Sequence, residues 1–360
     1  MNFCMRILEI GEGPYVSNYA PAITDFFSVH KTTPPESRLS LRHIFLLRKR
    51  LRAGYYDLVV YHVRAKTSAP WHRHHALWRI GLEIASWSLF SFHKISWHWF
   101  HLVLSGTTTP LVVIDSQDAP RINKTESFWL DRSRFWFMRE LPPNHLNLFL
   151  GMDHRCGDVV NIQRQKRLKP NFAKVKPFSL GFNVADTPPT EKAAARERIH
   201  DVFYAGANHT TTVRQQGLEE LKALRAAGLR VFIPEQRLSR PDFFQACAQS
   251  WLVWSPEGQG WDCHRHYEVL MLHSVPLINT PTIERAWPFV SGEHCIYYRP
   301  EVGGLTEAIE RALRDRDALL RIAEQGRAYI LEHHTRSQLV RLILSSVDLL
   351  DQAAAHIVEG

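Results

Sequence analysis

Cysteine is scarce in this chain. Five residues, Cys4, Cys156, Cys247, Cys263 and Cys295, are scattered over 360 positions, odd in number and with no Cys-x-x-Cys pair. That excludes a disulfide scaffold or a structural zinc framework and reads as free thiols in a reducing cytoplasm. A long uncharged apolar run is also missing. The nearest approach, residues 84–104, is interrupted by His93, Lys94, His98 and His101, so no membrane-spanning helix is expected. The apolar start is short and broken by Glu9 and Glu12, which argues against a signal peptide and for a first buried strand. No internal repeat, low-complexity tract or recognisable nucleic-acid-binding motif is present.

What the chain has is an ordinary globular composition, 45% hydrophobic and 22% charged, long enough for two domains. The net charge of +8 favours anionic partners without choosing among phosphates, nucleic acid and an anionic membrane.

Short apolar runs recur along both halves. Residues 5–10, 56–62, 111–115 and 135–139 read as buried strands, with a helical pattern over 19–27 and a basic amphipathic helix over 41–53. Residues 182–197 are polar, contain Pro188-Pro189 and read as a linker. Strands then resume at 201–205, 230–234, 251–254 and 275–279, between helices at 213–227, 241–250, 266–273, 305–314 and 317–334. A last long helix is expected over 338–355. Alternation of this kind predicts an α/β protein with two Rossmann-like, doubly wound domains facing a cleft. The expected divisions are 1–183, 184–337, and a terminal helical segment 338–360 that packs back on the first domain. Ligands of such sheets sit beyond the carboxyl ends of the strands.

Residues 251–279 carry most of the chemistry. Strand 251–254 delivers Ser255-Pro256-Glu257-Gly258 to the cleft, and Gly258-Gln259-Gly260 can turn backbone N–H groups toward an anion. Asp262 is expected to cap the next helix. On that helix Arg265 and Glu268 are three apart, on one face near the positive end. An arginine at a helix start suits phosphate, and a carboxylate one turn on suits the two hydroxyls of a ribose.

The ordered set Ser255, Pro256, Gly258, Trp261, Arg265, Glu268, Pro276 and Ile278 resembles the carboxyl-terminal domain of GT-B glycosyltransferases. The likeness is to the bacterial group related to the spore-maturation CgeB proteins and to group 1 glycosyltransferases. It covers about residues 201–335. Over the first half it is confined to the strand–glycine start, the strand end at 115–118, and Phe137-Met138-Arg139-Glu140-Leu141-Pro142. The resemblance implies that Glu268 binds the nucleotide ribose and Arg265 the diphosphate. Gly260, rather than glutamate, stands eight residues before Glu268, so retention versus inversion is left open.

On this reading Ser255, Gly260, Trp261, Asp262 and His264 also belong to the donor site, joined by Gly206, Asn208 and Arg214 from the loop after strand 201–205. An inverting reaction needs a base on the first domain to deprotonate the acceptor hydroxyl. Candidates at its strand ends are Asp118, Glu12, Asp115 and His62, with Asp118 and Glu12 taken forward as catalytic. No cofactor or metal is expected. His72 and His75 are spaced for a metal but have no carboxylate or thiol neighbour.

The expected function is transfer of a sugar from a nucleotide-diphosphate donor to a glycan or lipid-linked hydroxyl. The aromatic and basic residues of segment 78–104 suggest peripheral contact with the inner face of the membrane. Two alternatives stand beside this: a non-catalytic nucleotide-sugar or glycan-binding module, and a nucleic-acid-binding protein resting on the charge and helix 41–53 alone.

Overall fold

The structure, a computed structural model, describes residues 5–28, 41–63, 103–104, 106–122, 127–149, 169–186, 197–207 and 211–358. The segments expected to hold a histidine metal pair and a membrane contact lie outside these residues, except for Val103 and Leu104.

Two all-parallel sheets form the framework. The first contains β1 (Ile7–Gly11), β2 (Thr24–Ser28), β3 (Leu58–His62), β4 (Leu111–Asp115), β5 (Phe135–Met138) and β6 (Val175–Pro177), in the order β2-β1-β3-β4-β5-β6. The second contains β7 (His200–Phe203), β8 (Val231–Phe232), β9 (Ser250–Trp254), β10 (Val275–Asn279) and β11 (Ile296–Tyr298), in the order β11-β10-β9-β7-β8. Both are doubly wound. The strand order reverses between β1 and β3 in one sheet and between β7 and β9 in the other, which opens a crevice at each carboxyl edge.

Continuous apolar strands such as Leu-Val-Val-Tyr suit burial on both faces. In the first sheet alternate residues point to opposite cores. Leu8, Ile10, Val59, Tyr61 and Val113 face one side, and Ile7, Leu58, Val60, Val112 and Ile114 the other. Helix α1 (Leu41–Arg52) covers the first face with Ile44, Leu47 and Leu51, helped by Trp129 and Leu130 of α2 (Ser127–Arg132). The second sheet is flanked by α3 (Thr212–Ala226), α4 (Arg240–Ala248), α5 (His264–Met271), α6 (Gly304–Leu313) and α7 (Arg316–Tyr329). Side-chain caps start three of these five helices: Thr211 accepts from Arg214 N, Ser239 from Asp242 N and Asp315 from Ala318 N. Helix α3 ends just before Gly228, whose φ of 99° suits only glycine without strain.

Near the end the chain returns to the first domain. Helix α8 (Arg336–Ser346) packs Leu339, Val340, Ile343 and Leu344 against the second face of the first sheet. The two strands of chain that pass between domains run side by side, with Phe182 N donating to His334 O and Arg336 N to Phe182 O, each at 2.9 Å.

Two sequence expectations are corrected. Residues 19–27 are not helical: a short 3-10 turn (Pro21–Ile23) leads into β2, because pairing with β1 satisfies the backbone that a helix would have satisfied locally. The last helix is not continuous over 338–355. It stops at Ser346, Asp348 takes a φ of 62°, and a short helix α9 (Leu350–Ala353) follows.

Candidate active site

The loop after β9 is braced from within. Ser255 N donates to Leu277 O at 2.8 Å. Complete burial pushes the His266 imidazole down to about 3, so the ring is neutral. Its Nε2 lies 2.9 Å from Trp261 O, which can only accept, so Nε2 carries the hydrogen. Nδ1 then accepts from the Ser255 hydroxyl at 2.8 Å. Ser255 is therefore turned inward and shapes the loop rather than lining the groove. Glu257 is held by reciprocal bonds with Asn279, N to Oδ1 at 2.9 Å and Nδ2 to Oε2 at 3.0 Å.

Asp262 does not cap α5. Cys263 occupies that position without a side-chain cap bond. The buried Asp262 carboxylate instead accepts from Leu180 N and from the Tyr267 hydroxyl, both at 2.7 Å. Behind it lies the buried Arg285, stacked on Phe289 and lying over Trp261 and Tyr267.

Arg265 and Glu268 share a groove of about 420 Å³, walled on the opposite side by Asp118 and Arg139 of the first domain. Arg265 is anchored through Nη2 to Ala205 O at 2.7 Å and lies over the Tyr204 ring. Its Nη1 is buried and has no hydrogen-bond partner among the described residues. Glu268, one turn deeper, has Arg240 at 3.4 Å. His264 stands exposed at the helix start. Desolvation first, then Arg336, Arg139 and Arg240, hold its pKa below the usual histidine value.

The remaining expected donor residues fall in different places. Gly206 lies against Arg265, where a Cβ would come within 2.9 Å of Nη2. Arg214 is buried and ties the two loops together, from Nε to Glu257 O at 2.7 Å and from Nη1 to Ala207 O at 3.2 Å. The Trp261 indole is buried and donates to Asn279 O. Asn208 lies outside the described residues.

Of the candidate bases, Asp118 lines the groove and is ion-paired with Arg139. Glu12 is exposed on the turn after β1 and lines neither this groove nor the cavity beside it. Asp115 is buried and accepts from Gln117 N. His62 meets the buried Glu9 carboxylate at 2.8 Å.

Two residues that the sequence reading did not assign to the site join the domains. Glu140, just past β5, accepts from Trp261 N at 2.8 Å and Asp262 N at 3.0 Å. Burial pushes its carboxyl up to about 7, against the opposing pull of Arg139 and the two N–H groups. Its neighbour Arg139 binds both Glu140 and Asp118. Gly260 is required by this contact, since a Cβ there would lie 2.5 Å from Glu140 Oε1. The available signal was two opposite charges placed directly after a buried strand.

Among the described residues no group of three His, Cys, Asp or Glu side chains is placed to hold a metal ion. Among them, too, no helix is long and apolar enough to cross a membrane.

No protein-family model matches the chain, and no curated protein matches it in sequence. Solved structures do match in fold. A glycosyltransferase from Rickettsia africae ESF-5 superposes with a TM-score of 0.52 at 10% identity, covering 96% of this chain and 98% of that one. Anabaena Alr3699/HepE, crystallised in complex with UDP, does so with a TM-score of 0.50 at 12% identity, covering 96% and 100%. The protein has the GT-B fold, two Rossmann-like domains facing a cleft.

Proposed function

We propose that the protein is a glycosyltransferase that moves a sugar from a nucleotide-diphosphate donor to a hydroxyl of a glycan or lipid-linked acceptor. The observation that carries this reading is the placing of Arg265, at the positive end of α5, in one groove with Glu268 and with Asp118 of the first domain. Arg265 and the helix end would bind the diphosphate and stabilise it as it leaves, without a required metal. Glu268 would accept hydrogen bonds from the ribose hydroxyls, and Phe243, at the same groove, offers an apolar face to the base. Support comes from the shared fold with Alr3699/HepE, which was crystallised with UDP.

Asp118 is the residue we place as the base, because it stands on the first domain opposite Arg265 and Glu268. Glu12 would have to reach the groove from outside its lining, and we rank it second. Free Cys247, Cys263 and Cys295 are consistent with action in the cytoplasm.

The test is a thermal-shift screen with UDP, GDP, ADP and dTDP, followed by a transfer assay with the matching nucleotide-sugars. Stabilisation by one diphosphate and loss of it in Glu268→Ala support the reading. No shift with any of the four overturns it. Binding without turnover over a broad acceptor panel would favour the non-catalytic module.

A further inference from the structure

Across the Gly258-Gln259-Gly260 turn from the donor groove lies a second, larger cavity of about 610 Å³. Asp118 and the glycine turn line both spaces, so the two adjoin at the residue placed as the base. The new cavity is walled by Asp118, Arg121 and Asn147 from the first domain and by Glu257, Gln259 and Thr282 from the second. Both domains also meet beside it. Glu284 N donates to Leu141 O at 2.7 Å, and His145 pairs with Glu284 at 3.3 Å.

The charge on these walls is unlike that of the donor groove. Arg121 is the one Lys or Arg among the described lining residues, beside the Glu257 carboxylate and an Asp118 already paired with Arg139, while the Glu140 carboxyl is buried and taken up by Arg139, Trp261 N and Asp262 N. Arg139, which pairs with Asp118, lines the donor groove and not this cavity. Asn147, Gln259 and Thr282 add neutral groups that both donate and accept. A phosphate, diphosphate or uronate would find the single guanidinium of Arg121 already balanced by Glu257, so the described lining offers an anion no net positive charge. Sugar hydroxyls can instead both donate to and accept from these groups. The volume is in the range of small-ligand sites.

We infer that this cavity is the acceptor site and that it takes an uncharged, polyhydroxylated saccharide end in preference to an anionic one. The inference rests on the glycosyltransferase reading and narrows it.

The experiment uses the full-length protein saturated with whichever of the four nucleoside diphosphates stabilises it. Saturation-transfer NMR is recorded with methyl glycosides of glucose, galactose, mannose and N-acetylglucosamine. Methyl glucuronide and glucose 1-phosphate serve as charged counterparts. At least one uncharged glycoside is expected to give a signal fivefold or more above its charged counterpart. Thr282→Trp, which fills the cavity from an exposed position, is expected to abolish that signal and leave the nucleotide shift unchanged. Equal or stronger binding of the charged sugars, no glycoside signal at all, or a signal that survives in folded Thr282→Trp overturns the inference. Failure of every nucleotide to bind instead overturns the glycosyltransferase reading, and glycoside binding measured without nucleotide then decides the cavity on its own.

Discussion

The Glu140 carboxylate on the first domain accepts the backbone N–H of Trp261 on the second, at 2.8 Å. One side chain thus fixes the loop that carries the glycine turn and the start of α5. It does so while buried, with its pKa pushed up to about 7.

The sign of the pH effect follows. A carboxyl whose folded pKa lies above its ordinary value of 4.5 binds more protons folded than unfolded over that interval. Its contribution to stability therefore falls as pH rises from about 4.5 to 7 and is level above that. Glu140→Gln should remove this component. The difference in Tm between wild type and variant, followed from pH 5 to pH 8, is expected to shift against the wild type with rising pH and then flatten near neutrality.

Glu9 behaves in the opposite sense. It is fully buried at the switch point of the first sheet and accepts from Tyr15 N, Val16 N and Ser17 N as well as meeting His62. Desolvation is the largest influence and raises its pKa, but His62 and the N–H groups together outweigh it, and the net shift is downward. Its stabilisation is present above the unfolded value and is lost as pH falls through the folded one. Glu9→Gln should lower stability by about 1–3 kcal/mol at pH 7, by leaving buried donors poorly matched. The deficit should shrink on acidification, as urea denaturation at pH 7 and pH 4 would reveal.

Gly217 lies where α3 crosses β9, and a Cβ there would overlap the Trp254 ring. Gly217→Ala gains helix propensity of about 1 kcal/mol, yet the overlap should dominate, with a net loss of about 1–3 kcal/mol. A chemical melt of the variant measures it. An unchanged midpoint would mean that the helix can shift away at little cost.

The parts legible in the sequence were those fixed by local pattern. Runs such as Leu58–Tyr61 and Val275–Ile278 are apolar because their strands are buried on both faces, and the spacing of Arg265 and Glu268 puts them on one side of a short helix. What was not legible depends on pairing across long separations. Tyr19, Ile23 and Phe27 fall four apart and mimic a helix, whereas β1 recruits residues 24–28 into the sheet. Glu140 and Trp261 are 121 residues apart, and nothing near Gly260 announces that its missing side chain makes room for a carboxylate from the other domain. Ser255 was read as a groove residue, and Asp262, which does line the groove, as the cap of α5. Their side chains turn inward because His266, Leu180 and Tyr267 offer them buried partners.

The central claim is that Arg265 and Glu268 hold a nucleoside diphosphate between them. Titration calorimetry with the best of UDP, GDP, ADP and dTDP, on wild type, Arg265→Gln and Glu268→Ala, tests it most directly. Each substitution removes a charge-assisted hydrogen bond and should weaken binding by about 1.5–3 kcal/mol, roughly ten- to a hundredfold in Kd. Wild-type affinity in both folded variants, or no nucleotide binding by the wild type, would contradict the account.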